Sequence, residues 1–276
     1  DLAADYVFMG DNELPFEIPG TLGAIFNYKK WKTSYATQKH CFTILSKEEA
    51  IKENTQNVSF YFIDYEITDF NVEILKENPN AVIVIHTKYS NKTQIFRKFR
   101  CILDEHEIKN PVIFKQESEE KDLEKFQLVC SSDLGNQFID GFGDGIWLSG
   151  NQSTQNINSL SFGILQATRT RISKTEYISC PSCGRTLFDL QETTAKIRQR
   201  TSHLKGIKIG IMGCIVNGPG EMADADYGYV GTGPGKIHLY KEKEVVRKNV
   251  NEENAVDALI ELIKEHGDWI DAKNAE

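Results

Sequence analysis

Ala81-Val82-Ile83-Val84-Ile85 is an unbroken run of apolar, mostly β-branched residues. A strand that is covered on both faces has this composition, and such strands are typical of parallel sheets. Val58-Ser59-Phe60-Tyr61-Phe62-Ile63 and Pro111-Val112-Ile113-Phe114 are strand candidates on either side of it, and residues 91–105 carry apolar side chains at helical spacing. Strands therefore alternate with helices, which predicts an α/β fold with parallel pairing and right-handed crossovers.

Residues 1–150 continue this alternation. Tyr6-Val7-Phe8-Met9-Gly10 and Gly145-Ile146-Trp147-Leu148 are predicted strands, and a helix is predicted around Phe126. The strand count is too low for a complete eight-fold barrel, so we expect a partial-barrel-like β/α domain or an open α/β sheet. The sequence of this region shows no cluster of metal ligands and no pair of catalytic carboxylates.

Residues 151–276 are predicted to form a second α/β domain, with a polar linker at 151–158. Two predicted strands lead to cysteines, residues 176–179 directly to Cys180 and residues 207–212 to Cys214 after Gly213. Functional sites in α/β sheets lie at the carboxyl ends of strands, so we expect both cysteines at one functional edge. The other predicted elements are helices near 160–167, 187–200 (with Thr186 and Asp189 as a capping-box variant) and 255–266, and strands at 227–230, 236–240 and 244–246.

Composition and charge exclude several classes of protein. The 276 residues are 40% hydrophobic and 26% charged, as is typical of soluble globular proteins. No apolar run has membrane-spanning length and no signal-peptide pattern is present, so we expect no membrane partner. The net charge of −8 disfavours nucleic acid as a partner. A small anionic substrate is compatible with this charge, because a local pocket can be positive inside an acidic protein.

The six cysteines fall into two groups. Cys41, Cys101 and Cys130 lie singly in apolar segments and are predicted to be buried structural thiols. The other three are the pair in Cys180-Pro181-Ser182-Cys183, which is set in turn-forming residues, and Cys214 in a glycine-rich segment. A chain of this length needs no disulfides to stabilise its core, so the second group is the candidate for chemistry.

Three thiolates are one short of the four that usually hold an iron–sulfur cluster. Glu221 follows Cys214 by seven residues in the same glycine-rich loop and is the candidate fourth ligand. Since a carboxylate is a harder and more exchangeable ligand than a thiolate, Glu221 could leave and allow a substrate oxygen to take its place. Asn217, between Cys214 and Glu221, has both a donor and an acceptor for such a substrate.

Spacing alone leaves three kinds of site open. Zinc takes three cysteines with one further ligand and is slightly favoured, followed by an iron–sulfur cluster and then by a redox-active disulfide. A zinc-stabilised binding module is therefore the alternative function. No histidine is well placed to complete a zinc site, since His203 lies in the middle of the gap between the cysteines and His238 follows a glycine turn. Asp224 and Asp226 are predicted to be loop carboxylates, and residues 231–235 a hairpin turn.

Two motif blocks resemble one enzyme family over their whole length. They are Ile178-Ser179-Cys180-Pro181-Ser182-Cys183-Gly184-Arg185-Thr186-Leu187-Phe188-Asp189-Leu190 and Ile211-Met212-Gly213-Cys214-Ile215-Val216-Asn217-Gly218-Pro219-Gly220-Glu221-Met222-Ala223-Asp224-Ala225-Asp226. Both are similar to the 4-hydroxy-3-methylbut-2-enyl diphosphate synthases of the methylerythritol phosphate route to isoprenoids. The resemblance runs from about residue 141 to residue 271 and is to the large, three-domain form of the family.

The resemblance implies a cofactor, ligands and a reaction. It implies a [4Fe-4S] cluster on Cys180, Cys183, Cys214 and Glu221, with Asn217 contacting substrate. The implied reaction is the reductive ring opening of 2-C-methyl-D-erythritol 2,4-cyclodiphosphate, with ferredoxin or flavodoxin as the electron donor. The implied fold of residues 151–276 is an α/β iron–sulfur domain resembling those of sulfite and nitrite reductases.

The resemblance also implies that the domains have different roles. Residues 1–150 resemble the inserted, structural middle domain of the large form, and Trp147 stands where the family's barrel has an arginine, which disfavours a phosphate site there. The family's N-terminal TIM barrel, which binds the diphosphate, is expected to be missing, so we expect this chain to be inactive alone. A scaffold that docks a partner is a third hypothesis for residues 1–150. The resemblance allows a homodimer and a cytoplasmic location in a bacterium, or the plastid stroma in a plant.

Overall fold

The structure is a computed structural model that describes residues 3–52 and 60–271. The chain divides into two compact units, the first ending at Arg171 and the second beginning at Ile172. This division lies downstream of the boundary predicted at residue 150, because Ile164 and Leu165 of the helix Thr154–Ala167 are buried in the core of the first unit. Residues 151–158, predicted to be a linker, thus include the beginning of that helix.

The first unit contains a seven-stranded, all-parallel sheet in which every strand pairs with its neighbours in the sequence. Phe8 on the first strand and Trp147 on the last have ring centroids 5.0 Å apart, so the two edges of the sheet curl toward each other. The sheet is therefore a curled half-barrel, as the sequence predicted. The strands are β1 (Tyr6–Gly10), β2 (Gly23–Asn27), β3 (Cys41–Ser46), β4 (Tyr61–Glu66), β5 (Ala81–His86), β6 (Val112–Ser118) and β7 (Gly145–Gly150).

Both faces of this sheet carry clusters of buried apolar side chains. On one face Ile83, Ile85 and Phe114 pack in the larger core with the helices, and on the inner face Phe62 and Val84 form a second cluster. Burial on both faces confirms the reading of the run that begins at Ala81. The helices are α1 (Tyr28–Lys30, continued by a π-helical turn at Trp31–Tyr35), α2 (Lys47–Lys52), α3 (Val72–Glu77, after a 3-10 turn at Ile67–Asp69), α4 (Lys92–Glu105), α5 (Leu123–Ile139) and α6 (Thr154–Ala167).

Strands β2 and β3 were not predicted, and β4 begins at Tyr61, later than the predicted strand. Val58 and Ser59 of that prediction lie outside the described residues. The segments of β2 and β3 are short, and the turns around them carry weak signals. Their side chains become recognisable as core only once the neighbouring strands pair with them.

The single cysteines of this unit are only partly as predicted. Cys41 and Cys130 are buried, and burial raises the pKa of the Cys130 thiol to about 11, which keeps it protonated and unreactive. Cys101 is exposed, so its predicted burial was wrong. Helix α4 buries Phe99 and Leu103, and Cys101 lies midway between them in sequence, on the opposite side of the helix.

The second unit contains a five-stranded mixed sheet in the order β12-β11-β10-β9-β8. Strands β8, β9 and β10 are parallel, and β10, β11 and β12 are antiparallel. The hairpin predicted at 231–235 is confirmed, with Gly235 at φ 64° in the turn. The strands are β8 (Glu176–Ser179), β9 (Lys208–Met212), β10 (Tyr227–Gly233), β11 (Lys236–Lys241) and β12 (Glu244–Asn251).

Three helices accompany this sheet, namely α7 (Leu190–Thr201), α8 (Gly218–Glu221) and α9 (Glu252–Glu265). Ile197 of α7 and Leu259 of α9 are fully buried in one core with β9 and β10. The predicted capping box is only half present, because Asp189 caps α7 by accepting from the Glu192 amide while Thr186 lies outside the helix. Across residues 3–52 and 60–271, no helix is long and apolar enough to cross a membrane.

The core of the first unit offers a direct test of this packing. Phe114 is fully buried and contacts the rings of Phe96, Phe138 and Phe142. Replacing Phe114 with Ala should lower the free energy of unfolding of the first unit by about 3–5 kcal/mol, because a large ring is lost and a cavity is left. Leu128→Ala on α5 is the matched control, since Leu128 is 62% exposed. Chemical denaturation measures both, and equal losses in the two variants would contradict the assigned core.

Candidate functional site

Parallel pairing of β8 with β9 brings the two cysteine segments together. Ser179 at the end of β8 is in register with Ile211 in β9, and the Cys180 amide donates to the Ile211 carbonyl at 3.4 Å. The amide of Gly213 in turn donates to the Cys180 sulfur, at 3.3 Å. Cys180 and the segment that carries Cys214 therefore meet at the carboxyl edge of the sheet, as the sequence predicted.

The turn that follows Cys180 presents Cys183 to solvent. Ser182 adopts φ 63°, in the left-handed region that reverses the chain without a regular element. The Thr186 amide donates to the Cys183 carbonyl at 2.9 Å, which closes the turn, and the Leu187 amide donates to the Gly213 carbonyl at 3.2 Å. The segment that carries Cys180 and Cys183 is thus hydrogen-bonded, a few residues after Cys183, to the residue that follows β9.

The loop from Cys214 to Glu221 is held by a buried methionine. Met222 is 1% exposed, and a Cβ on Gly210 or Gly228 would come within 2.6 Å or 2.5 Å of its side chain. These two glycines leave the room in which Met222 packs against the sheet. Glu221, the preceding residue, is exposed, so the anchor fixes its backbone while its carboxylate faces outward.

Asn217 begins the short helix α8 with its backbone only. Its carbonyl accepts from the amides of Gly220 and Glu221, both at 3.0 Å, while its side chain makes no capping hydrogen bond and is exposed. The amide group of Asn217 is therefore available to a ligand at the same edge as Glu221.

Arg185 is the charged group that sequence reasoning missed. The Arg185 backbone amide and guanidinium hydrogen-bond the Cys183 sulfur and lower the pKa of that thiol, while Glu221 acts in the opposite direction. Cys183, Cys214 and Glu221 all raise the pKa of Arg185. Three of the four predicted ligands thus lie within electrostatic reach of one cation. A basic residue two positions after a candidate thiolate was the signal in the sequence.

A single metal ion and an iron–sulfur cluster require different arrangements of their ligands. In residues 3–52 and 60–271, no three His, Cys, Asp or Glu side chains are arranged around a point where one metal ion could bind. A cubane cluster takes its ligands at separate corners, so its ligands lie further apart than those of one tetrahedral ion. Partly exposed thiols, a thiolate-stabilising arginine and an amide donating to the Cys180 sulfur match what such a cluster requires.

The other polar residues considered in the sequence have structural partners. The Asp226 carboxylate accepts from the Lys208 amide at 2.7 Å, and Asp224 lies 3.2 Å from the Lys208 amine. His238 accepts from the Asn249 amide at 3.1 Å, and a ring nitrogen of His203 is 2.8 Å from the Ile270 carbonyl. These contacts account for the four side chains without a role in chemistry.

A polar network on the inner face of the first unit was also missed. His86 lies 3.4 Å from Asp64 and 3.2 Å from Glu66, and Lys115 pairs with Asp64 at 2.5 Å and lies over the ring of Trp147. Asp64 and Glu66 are two residues apart in β4, and this spacing is the sequence signal that would have placed both on one face. The pairing of Lys115 with Asp64 and the contacts of His86 with both carboxylates join β4, β5 and β6 on this face.

Two comparisons with known proteins show what this chain is similar to. Residues 176–265 match the protein family model described as "GcpE protein C-terminal domain". This match contains both cysteine segments and Glu221. The second unit is therefore similar to the C-terminal domain of GcpE proteins over residues 176–265.

Curated relatives extend the match to nearly the whole chain. A protein of Parabacteroides distasonis named "4-hydroxy-3-methylbut-2-en-1-yl diphosphate synthase (flavodoxin)" is 48% identical over 269 residues, which are 96% of this chain and 43% of that protein. Proteins of the same name from Bacteroides fragilis and Protochlamydia amoebophila are 47% and 48% identical, over 96% and 72% of this chain and 42% and 30% of their own lengths. The chain is homologous to these synthases and spans about two fifths of the length of the relatives that it matches most fully.

The methionine anchor of the loop predicts a change in stability. Met222→Ala should lower the free energy of unfolding of the second unit by about 2–5 kcal/mol, because it empties the space between Gly210 and Gly228. Val216→Ala in the same loop is the control, since Val216 is 62% exposed. Denaturant unfolding followed by tryptophan fluorescence measures both changes. A loss in Val216→Ala as large as that in Met222→Ala would contradict the anchor.

Proposed function

We propose that the second unit binds a [4Fe-4S] cluster through Cys180, Cys183, Cys214 and Glu221. The observation that supports this most is the meeting of Cys180 with the Gly213–Cys214 segment at the ends of two adjacent parallel strands. When bound, the cluster would supply electrons one at a time to a substrate held beside it. We further propose that the domain is of the kind found in sulfite and nitrite reductases.

The reaction proposed for the whole protein forms the product that its relatives' names specify. In it, 2-C-methyl-D-erythritol 2,4-cyclodiphosphate takes up two electrons and two protons, its ring opens with cleavage of a carbon–oxygen bond, and 4-hydroxy-3-methylbut-2-enyl diphosphate and water are formed. Flavodoxin, which the relatives' names specify, is the proposed electron donor, with ferredoxin as the alternative. The site of the reaction is proposed to be cytoplasmic, as in a bacterial enzyme.

Glu221 and Asn217 are the two residues proposed to act on substrate. Glu221 is exposed, so the carboxylate has room to turn away from its ligand position. A carboxylate is also the most exchangeable ligand of the set. The Asn217 side-chain amide makes no capping hydrogen bond to α8. It can therefore donate to a substrate oxygen and accept from a substrate hydroxyl.

The first unit is proposed to have a structural role. Its inner face carries the apolar side chains of Phe62 and Val84, and Lys115 on that face is already paired with Asp64. Trp147 lies on its edge strand. The diphosphate is proposed to bind to a TIM barrel elsewhere in the full-length protein. Since the chain matches only about two fifths of its relatives' length, we expect it to hold the cluster and not to turn over substrate alone.

Metal analysis tests the ligand set. Anaerobically reconstituted chain should contain about four irons and absorb broadly in the visible, because thiolate-to-iron charge transfer gives such clusters their colour. Cys214→Ala should lose most of this iron, whereas Cys101→Ala should keep it, since Cys101 is exposed on α4 of the first unit and is not a proposed ligand. Stoichiometric zinc without iron, or equal iron loss in both variants, would contradict the proposal.

The role of Glu221 requires a synthase of the relatives' full length that contains this chain. Glu221→Ala should retain a cluster on the three thiolates and lose turnover by several orders of magnitude, because the exchangeable carboxylate is gone. Iron content and the rate of product formation are measured on the same sample. Activity close to that of the unaltered enzyme would exclude ligand exchange at Glu221.

A further inference from the structure

Thr186 is the one half-buried residue in an exposed stretch, residues 181–187. Its hydroxyl oxygen accepts from the Cys183 amide at 3.1 Å and lies 3.2 Å from the Ser182 hydroxyl. Its own amide donates to the Cys183 carbonyl at 2.9 Å. Both backbone groups of Cys183 are therefore bonded to this single residue.

The other side of Thr186 packs against the strand that leads to Cys214. A Cβ on Gly213 would lie 2.7 Å from the Thr186 hydroxyl oxygen and 2.8 Å from its methyl carbon. The close approach requires glycine at 213, because a β-branched side chain cannot easily turn aside. On the far side of Gly213, a Cβ on Gly231 would lie 2.5 Å from the Gly213 carbonyl oxygen, so the strand end cannot retreat from Thr186 in that direction.

Helix capping and burial do not explain these contacts. Asp189 caps α7, so the Thr186 hydroxyl is not needed for the helix. Cys183 is exposed, and water could satisfy its amide at little cost. A half-buried hydroxyl directed at an exposed amide serves to fix the orientation of the backbone that carries the Cys183 sulfur.

We propose that Thr186 is a positioning residue that holds Cys183 and Cys214 at the mutual placement a cluster needs. This inference rests on the proposed function, since it assigns Thr186 to the support of that cluster. The hydroxyl sets the Cys183 turn, and its oxygen is also the Thr186 atom nearest to the Cβ position of Gly213. Cys214 follows Gly213 directly. Residues that orient metal ligands in this way typically affect metal affinity by about 10- to 100-fold.

The experiment compares Thr186→Val, which keeps the shape and removes the hydroxyl, with Thr186→Ser, which keeps the hydroxyl. Thr232→Val is the control, because the Thr232 hydroxyl donates to the Lys236 carbonyl in the β10–β11 hairpin. Cluster retention is measured anaerobically as the iron left on the chain against increasing iron chelator. We expect Thr186→Val to lose its iron at about tenfold less chelator, and Thr186→Ser and Thr232→Val to resemble the unaltered chain.

A second readout needs no metal. In cluster-free protein, hydrogen exchange at the Cys183 amide, followed by NMR, should speed up in Thr186→Val and recover in Thr186→Ser, while thermal unfolding stays within a few degrees of the unaltered chain. Unchanged exchange and unchanged iron retention in Thr186→Val would overturn the proposal. If the unaltered chain itself takes up no iron, the proposed function fails first, whereas iron loss confined to Thr186→Val identifies the role of Thr186.

Discussion

The parallel pairing of β8 with β9 is the constraint on which the site depends. Two neighbouring parallel strands end at the same edge of a sheet. The residues that follow them therefore lie close together, independently of the conformation of the intervening chain. Here those residues are Cys180 and, one position beyond Gly213, Cys214. Helix α7 supplies the crossover that parallel pairing requires and buries Ile197 against the same sheet. The stability of the second unit and the geometry of its cysteines thus have one origin.

Glycines convert this edge into a closely packed site. Gly213 and Gly231 allow the Thr186 side chain and two strand ends to approach within distances that a Cβ would prevent, and Gly210 and Gly228 admit Met222 on the sheet. These close contacts therefore lie between the loops and the sheet, whereas Cys183, Asn217 and Glu221 are exposed to solvent. Rigid support with exposed reactive groups is what ligand exchange at a metal centre requires.

Much of this could be predicted from the sequence because the signals were local. The apolar run at Ala81 and the strands before Cys180 and Cys214 carry their own hydrophobic pattern, and the spacing of the cysteines with Glu221 defined a candidate site before any fold was known. The errors came from information that is not local. The exposure of Cys101 depends on which face of α4 is buried, and the position of α6 in the first unit depends on packing against α5. The contacts of Arg185 and Thr186 exist only once the two cysteine segments meet.

We propose that three thiolates and one carboxylate of the second unit hold a cluster with one distinct iron. Mössbauer spectroscopy of the chain reconstituted anaerobically with iron-57 tests it most directly, because the isomer shift of each iron reports its ligands. We expect about four irons per chain, three of one kind and one with an isomer shift typical of oxygen ligation. The isomer shift of that one iron should change in Glu221→Ala. Four equivalent irons, or a distinct iron unaffected by Glu221→Ala, would contradict it.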